Sequence, residues 1–175
     1  MLTKIAVYCL LYPLSLLPMA ILYGVAKIIY LVLYQLIRYR INVTRTNLKN
    51  SFPTFSRSKL KQIEKAYYVH LCNLFVEGVK MLSISRKELM KRYRCKNPEL
   101  VNQYFEQKKS VILMSSHYNN WEWMVLSLAM QFKHHGIGVG KENSNKSFEK
   151  TINLFRTRYG TEVVFAKTIR DVFQQ

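Results

Sequence analysis

No aspartate or glutamate occurs before Glu64, although nine of the basic residues do. That one-sided charge calls for an anionic partner. Cysteine is sparse too: Cys9, Cys72 and Cys95 are odd in number and widely spaced, and no Cys-x-x-Cys occurs. The set argues against a disulfide framework or a structural zinc site and is compatible with a reducing compartment. No Gly-x-Ser-x-Gly elbow is present, which argues against a Ser-His-acid hydrolase. His134 and His135 have no acid or cysteine at ligand spacing, so they read as a solvated loop; neither a metal nor a cofactor is expected. Zinc-finger spacing and RNP-type motifs are also missing, and the basic residues are scattered among aromatics. The anionic partner is therefore read as a bilayer surface and not as nucleic acid.

What is present is 27 Lys and Arg against 10 acids, a formal charge of +17 on 175 residues. That length suffices for one core and is short for two domains. Ile5 to Ala26 carries no charge and is long enough to cross a hydrocarbon core, which takes about 20 helical residues. Pro13 and Pro18 interrupt it, Lys27 punctuates it, and a second apolar run extends from Ile28 to Ile37. A kinked span and a re-entrant or interfacial hairpin are both open. A cleavable signal peptide fits less well, because the apolar stretch is overlong and no small-x-small site ends it. Residues 1–40 are thus expected to be a membrane anchor. Tyr8, Tyr12, Tyr23, Tyr30, Tyr34 and Tyr39 suit its interfaces, and Arg38, Arg40, Arg45 and Lys49 place the rest of the chain on the cytoplasmic side.

Ile41 to Phe55 reads as a basic, Asn-rich connector. Ser58 to Leu82 reads as a long helix with Leu60, Ile63, Tyr67, Leu71, Leu74, Val79 and Leu82 on one stripe. Ser85-Arg86-Lys87-Glu88 has capping-box form and starts a short helix; Asn97-Pro98-Glu99 starts another, to about Gln107. Val111 to Met114 is an apolar run of strand length. From Trp121 to Phe132 the apolar residues recur at helical spacing, with Asn120 as N-cap and Glu122 in the first turn. Ile137 to Gly140 is predicted as a strand, Ser147 to Tyr159 as a helix closed by Gly160, Glu162 to Phe165 as a second strand and Thr168 to Gln175 as a helix. This alternation argues for an α/β fold with an open, largely parallel sheet flanked by helices. His117 would lie at the sheet's carboxyl edge, where such folds place their sites.

The run Ser115-Ser116-His117-Tyr118-Asn119-Asn120-Trp121-Glu122 carries the chemistry. An imidazole can take a proton from an alcohol at neutral pH when a second group holds its other nitrogen as N–H, and Glu122 could be that group. On spacing alone the two could equally be an edge histidine and an ordinary first-turn acid. Arg156 and Arg158, at the end of a predicted helix, would on spacing alone complement the helix dipole.

The block His117-Tyr118-Asn119-Asn120-Trp121-Glu122 closely resembles the His-x4-Asp/Glu motif of the lysophospholipid acyltransferase-like superfamily. In particular it is similar to the His-aromatic-Gly-Asn-Trp-Glu form of the late acyltransferases of lipid A biosynthesis, the lauroyl and myristoyl transferase group. Ser116 and Asn119 depart from glycines common there. Asn47-Leu48-Lys49-Asn50-Ser51-Phe52-Pro53 looks like the segment after that family's anchor. Asn145 matches a family asparagine, and Phe155-Arg156-Thr157-Arg158-Tyr159-Gly160 matches its Arg-rich stretch; Gly140 and Glu142 depart from the residues usual around Lys141.

The resemblance implies His117 as general base and Glu122 as its partner. It implies Asn120, Asn145, Arg156 and Arg158 as substrate-binding, the arginines facing a phosphorylated acceptor or a phosphopantetheine. The implied reaction moves a fatty acyl chain from acyl carrier protein, or a coenzyme A thioester, to a hydroxyl of a lipid A precursor. A glycerolipid or aminolipid acceptor is the alternative within that chemistry; a non-catalytic protein binding anionic lipid is the alternative outside it. Residues 41–175 are expected to be the amino-terminal part of the acyltransferase domain, because the family carries further sheet and a later acidic block.

Overall fold

A computed structural model describes residues 5–142 and 144–165. Ten elements follow in order: α1 (Ala6–Leu16), α2 (Met19–Leu36), α3 (Ile41–Ser51), α4 (Arg57–Lys80), α5 (Arg86–Arg92), α6 (Glu99–Glu106), α7 (Trp121–Gln131), β1 (Ile137–Gly140), α8 (Lys146–Arg156) and β2 (Glu162–Phe165). The described chain is mostly helical, with one two-stranded parallel sheet. The helix expected over Thr168 to Gln175 lies outside the described residues.

Residues 17–80 form one unit. The apolar run breaks at Leu17 and Pro18; Pro18, with its fixed φ and no N–H to lose, starts α2. Met19, Leu22 and Ala26 of α2 are buried, as are Tyr68, Cys72, Val76 and Val79 of α4. The buried stripe of α4 is one residue out of the predicted phase: Tyr68 is inside and Tyr67 is 45% exposed. The inner stripe also holds a paired charge. Glu64 belongs to the inner stripe, where its carboxylate accepts from Arg45 Nε (2.7 Å), Arg45 Nη2 (3.1 Å) and the Tyr34 hydroxyl (2.8 Å). Burial pushes this carboxyl up, but those bonds and the guanidinium charge outweigh burial and hold it below the usual carboxylate range.

The stretch read as a connector is α3, a helix over Ile41–Ser51. Its entry residue Arg40 is left-handed (φ 49°) and offers no side-chain cap. Helicity there rests on tertiary contacts: Ile41 is buried, Arg45 pairs with Glu64, and Thr44 meets the Tyr68 hydroxyl at 3.2 Å.

Among the described residues, those before Leu17 and those after Lys80 form the other unit. Within it Tyr8 and Tyr12 of α1 each stand 6.4 Å from the Phe155 ring, and the Ser83 hydroxyl donates to the Ser15 carbonyl at 2.6 Å. Val7, Met81, Leu82, Ile84, Leu89, Trp123 and Leu126 supply its buried apolar side chains among the described residues. Strands β1 and β2 pair in parallel, Ile137 opposite Glu162 through Gly140 opposite Phe165. Parallel neighbours need a crossover, and α8 is that crossover. Gly160 turns the chain into β2 at φ 102°, a conformation that an L side chain resists.

Val111 to Met114 pairs with no strand among the described residues. Its side chains face solvent, Ile112 at 87% and Met114 at 91% exposure. The apolar run has strand composition but finds no ladder partner here, and a strand is defined by its partner.

Candidate active site

His117 stands in the loop between α6 and α7, and the local sequence explains how that loop turns. Asn119 takes φ 55°, the left-handed region that asparagine tolerates better than most residues. The glycine-to-asparagine departure therefore keeps the turn. Asn120, buried, caps α7: its Oδ1 accepts the Trp123 N–H at 3.1 Å. Glu122 then falls in the first turn, as predicted, where exposed amides favour a carboxylate.

The expected His117–Glu122 contact is not formed. Both oxygens of Glu122 accept from Arg156, Oε2 from Nε at 2.7 Å and Oε1 from Nη2. A guanidinium fork offers two parallel charge-assisted bonds, which a neutral imidazole cannot match. The third nitrogen of Arg156 donates to Glu149 Oε1 (3.3 Å) and Asn153 Oδ1 (3.2 Å). Glu122 beside it raises the Arg156 guanidinium above its usual value despite burial.

His117 is exposed and packs edge-to-face on Trp121, with ring centroids 4.8 Å apart. The Arg156 guanidinium lies over that same indole, 5.8 Å from its centroid. Trp121 thus touches both His117 and the cation that holds Glu122. Sequence reasoning missed this residue's place, along with those of Glu149 and Asn153. The latter two were findable, because 149, 153 and 156 share one face of a helix.

The remaining candidates are spoken for locally. Arg158 donates to the carbonyls of Leu82 (2.9 Å) and Ile84, and its guanidinium sits 4.6 Å from the Tyr159 ring centre. Burial pushes its pKa down. Arg158 therefore ties the end of α8 to the 82–84 segment, and a phosphate ligand would have to displace those carbonyls. Asn145 caps α8, its Oδ1 accepting from Phe148 N–H at 3.0 Å. His134 Nε2 lies 3.0 Å from the Lys109 carbonyl and His135 Nε2 3.0 Å from Glu162. No cluster of three or more His, Cys, Asp or Glu side chains able to hold a metal occurs among the described residues.

The site is thus an exposed imidazole on a helix-entry loop, an indole beneath it, and a carboxylate clamped by arginine. No curated protein and no solved structure matches the chain. A family model does, over residues 1–175, described as bacterial lipid A biosynthesis acyltransferase. With a match of that extent joined to the His117–Glu122 block, the chain belongs to the bacterial lipid A biosynthesis acyltransferases and is an acyltransferase enzyme by family.

Proposed function

We propose that this acyltransferase carries a fatty acyl chain from acyl carrier protein, with coenzyme A as the alternative donor, to a hydroxyl of a lipid A precursor at the cytoplasmic face of the inner membrane. His117 is the general base. One ring nitrogen takes the proton as the acceptor oxygen attacks the thioester carbonyl; the C–O bond forms, the C–S bond breaks, and the proton passes to the departing thiolate. The acyl group goes directly to the acceptor with no covalent enzyme intermediate.

The observation that carries this reading is the capped turn at Asn119 and Asn120. It leaves His117 open to a substrate while fixing Glu122 in the next helical turn. Pairing with Arg156 does not exhaust Glu122: a carboxylate has about four lone-pair sites, and a bidentate fork uses two. The other sites can accept a hydrogen bond from the second imidazole N–H once the ring leaves Trp121 and turns inward. Arg156 in this reading sets the carboxylate's orientation and adds positive potential for a phosphorylated acceptor. Asn120 and Asn145 shape the loops that the acceptor meets.

The reading also extends to the fold and its attachment. Val111 to Met114 is inferred to join β1 and β2 in an open, largely parallel α/β sheet, with α7 as its crossover; its apolar run of strand length, directly before the loop that enters α7, supports this. Residues 1–40 are inferred to attach the enzyme to the membrane, supported by the apolar helix Met19–Leu36.

The test is acyl transfer by the full-length protein from acyl carrier protein to a lipid A precursor, with glycerolipid and aminolipid acceptors in parallel. Loss of turnover in His117→Ala with the fold intact is expected. Undiminished turnover would refute the assignment, and transfer to a glycerolipid alone would move the acceptor.

A further inference from the structure

Helix α2 is apolar enough to cross a bilayer by length and composition, yet polar anchors are spread along it. The Tyr23 hydroxyl donates to Glu77 at 2.9 Å and the Tyr34 hydroxyl to Glu64 at 2.8 Å. Both acceptors are on α4, so the two helices run antiparallel, side by side. The tyrosines are separated by about 16 Å of helix rise. Between them lies Lys27, exposed.

The outer face of α2 is different. Ile21, Ile28, Leu31, Val32 and Leu36 are all exposed, and their spacing puts them on one stripe. A helix turns about 100° per residue, so Lys27 falls at the edge of that stripe, one step round from Ile28.

Two orientations in a membrane can be compared. If α2 crossed, Lys27 would sit near the middle of a helix about 27 Å long, at the bilayer midplane. The two tyrosine–carboxylate bonds would pull Glu64 and Glu77 into hydrocarbon with it. If α2 lies flat in the interface, the stripe meets acyl chains, Lys27 extends its methylene stem to the phosphates, and the charged side chains of α4 stay in water. Arg38 and Arg40, both exposed, come directly after α2, and no acid occurs between residues 17 and 63. That charge fits an anionic headgroup layer.

We propose that residues 17–80 form a monotopic docking unit whose helix α2 lies in the plane of one anionic phospholipid leaflet and does not cross it. The proposal rests on the membrane attachment inferred above and specifies its geometry. The test places nitroxide labels at Ile21→Cys, Ile28→Cys or Leu36→Cys in the full chain carrying Cys9→Ser and Cys95→Ser, bound to phosphatidylglycerol-containing vesicles. Their depths are read from collision with oxygen and with a water-soluble nickel complex.

One common shallow depth is expected. A label at Ile28 deeper than one at Ile21 by about 10 Å, the rise of the intervening helix, overturns the flat geometry and leaves membrane attachment standing. Failure to co-sediment with vesicles, with all three labels in water, overturns both. In the unaltered chain an impermeant amine reagent outside the vesicles should modify Lys27; protection of Lys27 there would count against the proposal independently of any label.

Discussion

Glu122 and Arg156 are 34 residues apart in the chain and meet fork to fork, Arg156 Nε 2.7 Å from Glu122 Oε2, with both side chains only about a fifth exposed. This pair joins the start of α7 to the end of α8. Arg156→Ala would strand a largely dehydrated carboxylate. A fully buried pair costs about 3–5 kcal/mol to break, and residual exposure should bring this one to about 2 kcal/mol. Arg156→Lys keeps the charge but loses the fork, and should fall between the two in thermal unfolding. An unchanged melting temperature in Arg156→Ala would show that the pair contributes nothing to the fold.

His117 leans on the Trp121 ring from an otherwise exposed position, so its removal should leave stability almost unaltered while lowering acyl transfer by about 10²- to 10⁴-fold, the usual worth of a general base. Glu122→Gln should lower turnover as well, and in addition should destabilise, because it also breaks the arginine fork. The contrast between the two variants, read by activity and melting together, separates the base from its orienter.

The Glu64 carboxyl is the group whose acid sensitivity is set by the fold. Its folded-state pKa is depressed, so it adds stability that is present above the unfolded value of about 4.3 and is lost as pH falls through the folded value. Stability should therefore decline below about pH 5. Glu64→Gln should start lower at neutral pH and lose less on acidification. Parallel pH-stability curves for the two proteins would remove Glu64 as the source.

At the helix-entry loop, Asn120→Ala should cost about 1 kcal/mol through loss of its bond to the Trp123 amide. Asn119→Gly should be tolerated, whereas Asn119→Val should cost about 1–2 kcal/mol because a β-branched residue resists φ near 55°. Chemical denaturation reads both. A neutral Asn119→Val would mean that the turn relaxes to another conformation.

Much of the local architecture was legible. The strands Ile137–Gly140 and Glu162–Phe165 stand where they were expected, and Asn120 caps α7 and Ser85 caps α5 through the Glu88 amide. Gly160 takes a positive φ, but α8 already ends at Arg156 with Thr157 as its cap, so Gly160 turns the chain into β2 and does not close the helix. These features depend on a residue and its neighbours within a turn or so, and side-chain chemistry at that range is written in the order of the letters.

Two of the misread features depended on partners far along the chain. The Ile41–Ser51 segment lacks a cap and an apolar stripe, and its helix is held by Ile41 burial and by Arg45 meeting Glu64, 19 residues on. Tyr68, and not Tyr67, lies on the inner face of α4, on the stripe that also carries Glu64, Cys72 and Val76.

Read alone, the amino-acid order determined which groups were available: a histidine on a helix-entry turn, an acid in the first turn after it, a cationic and apolar amino-terminal third. Tertiary structure decided which of them touch, giving Glu122 to Arg156 and His117 to Trp121. The reason is competitive: each polar group takes the strongest partner that folding brings within reach, and a bidentate guanidinium outbids an imidazole five residues away.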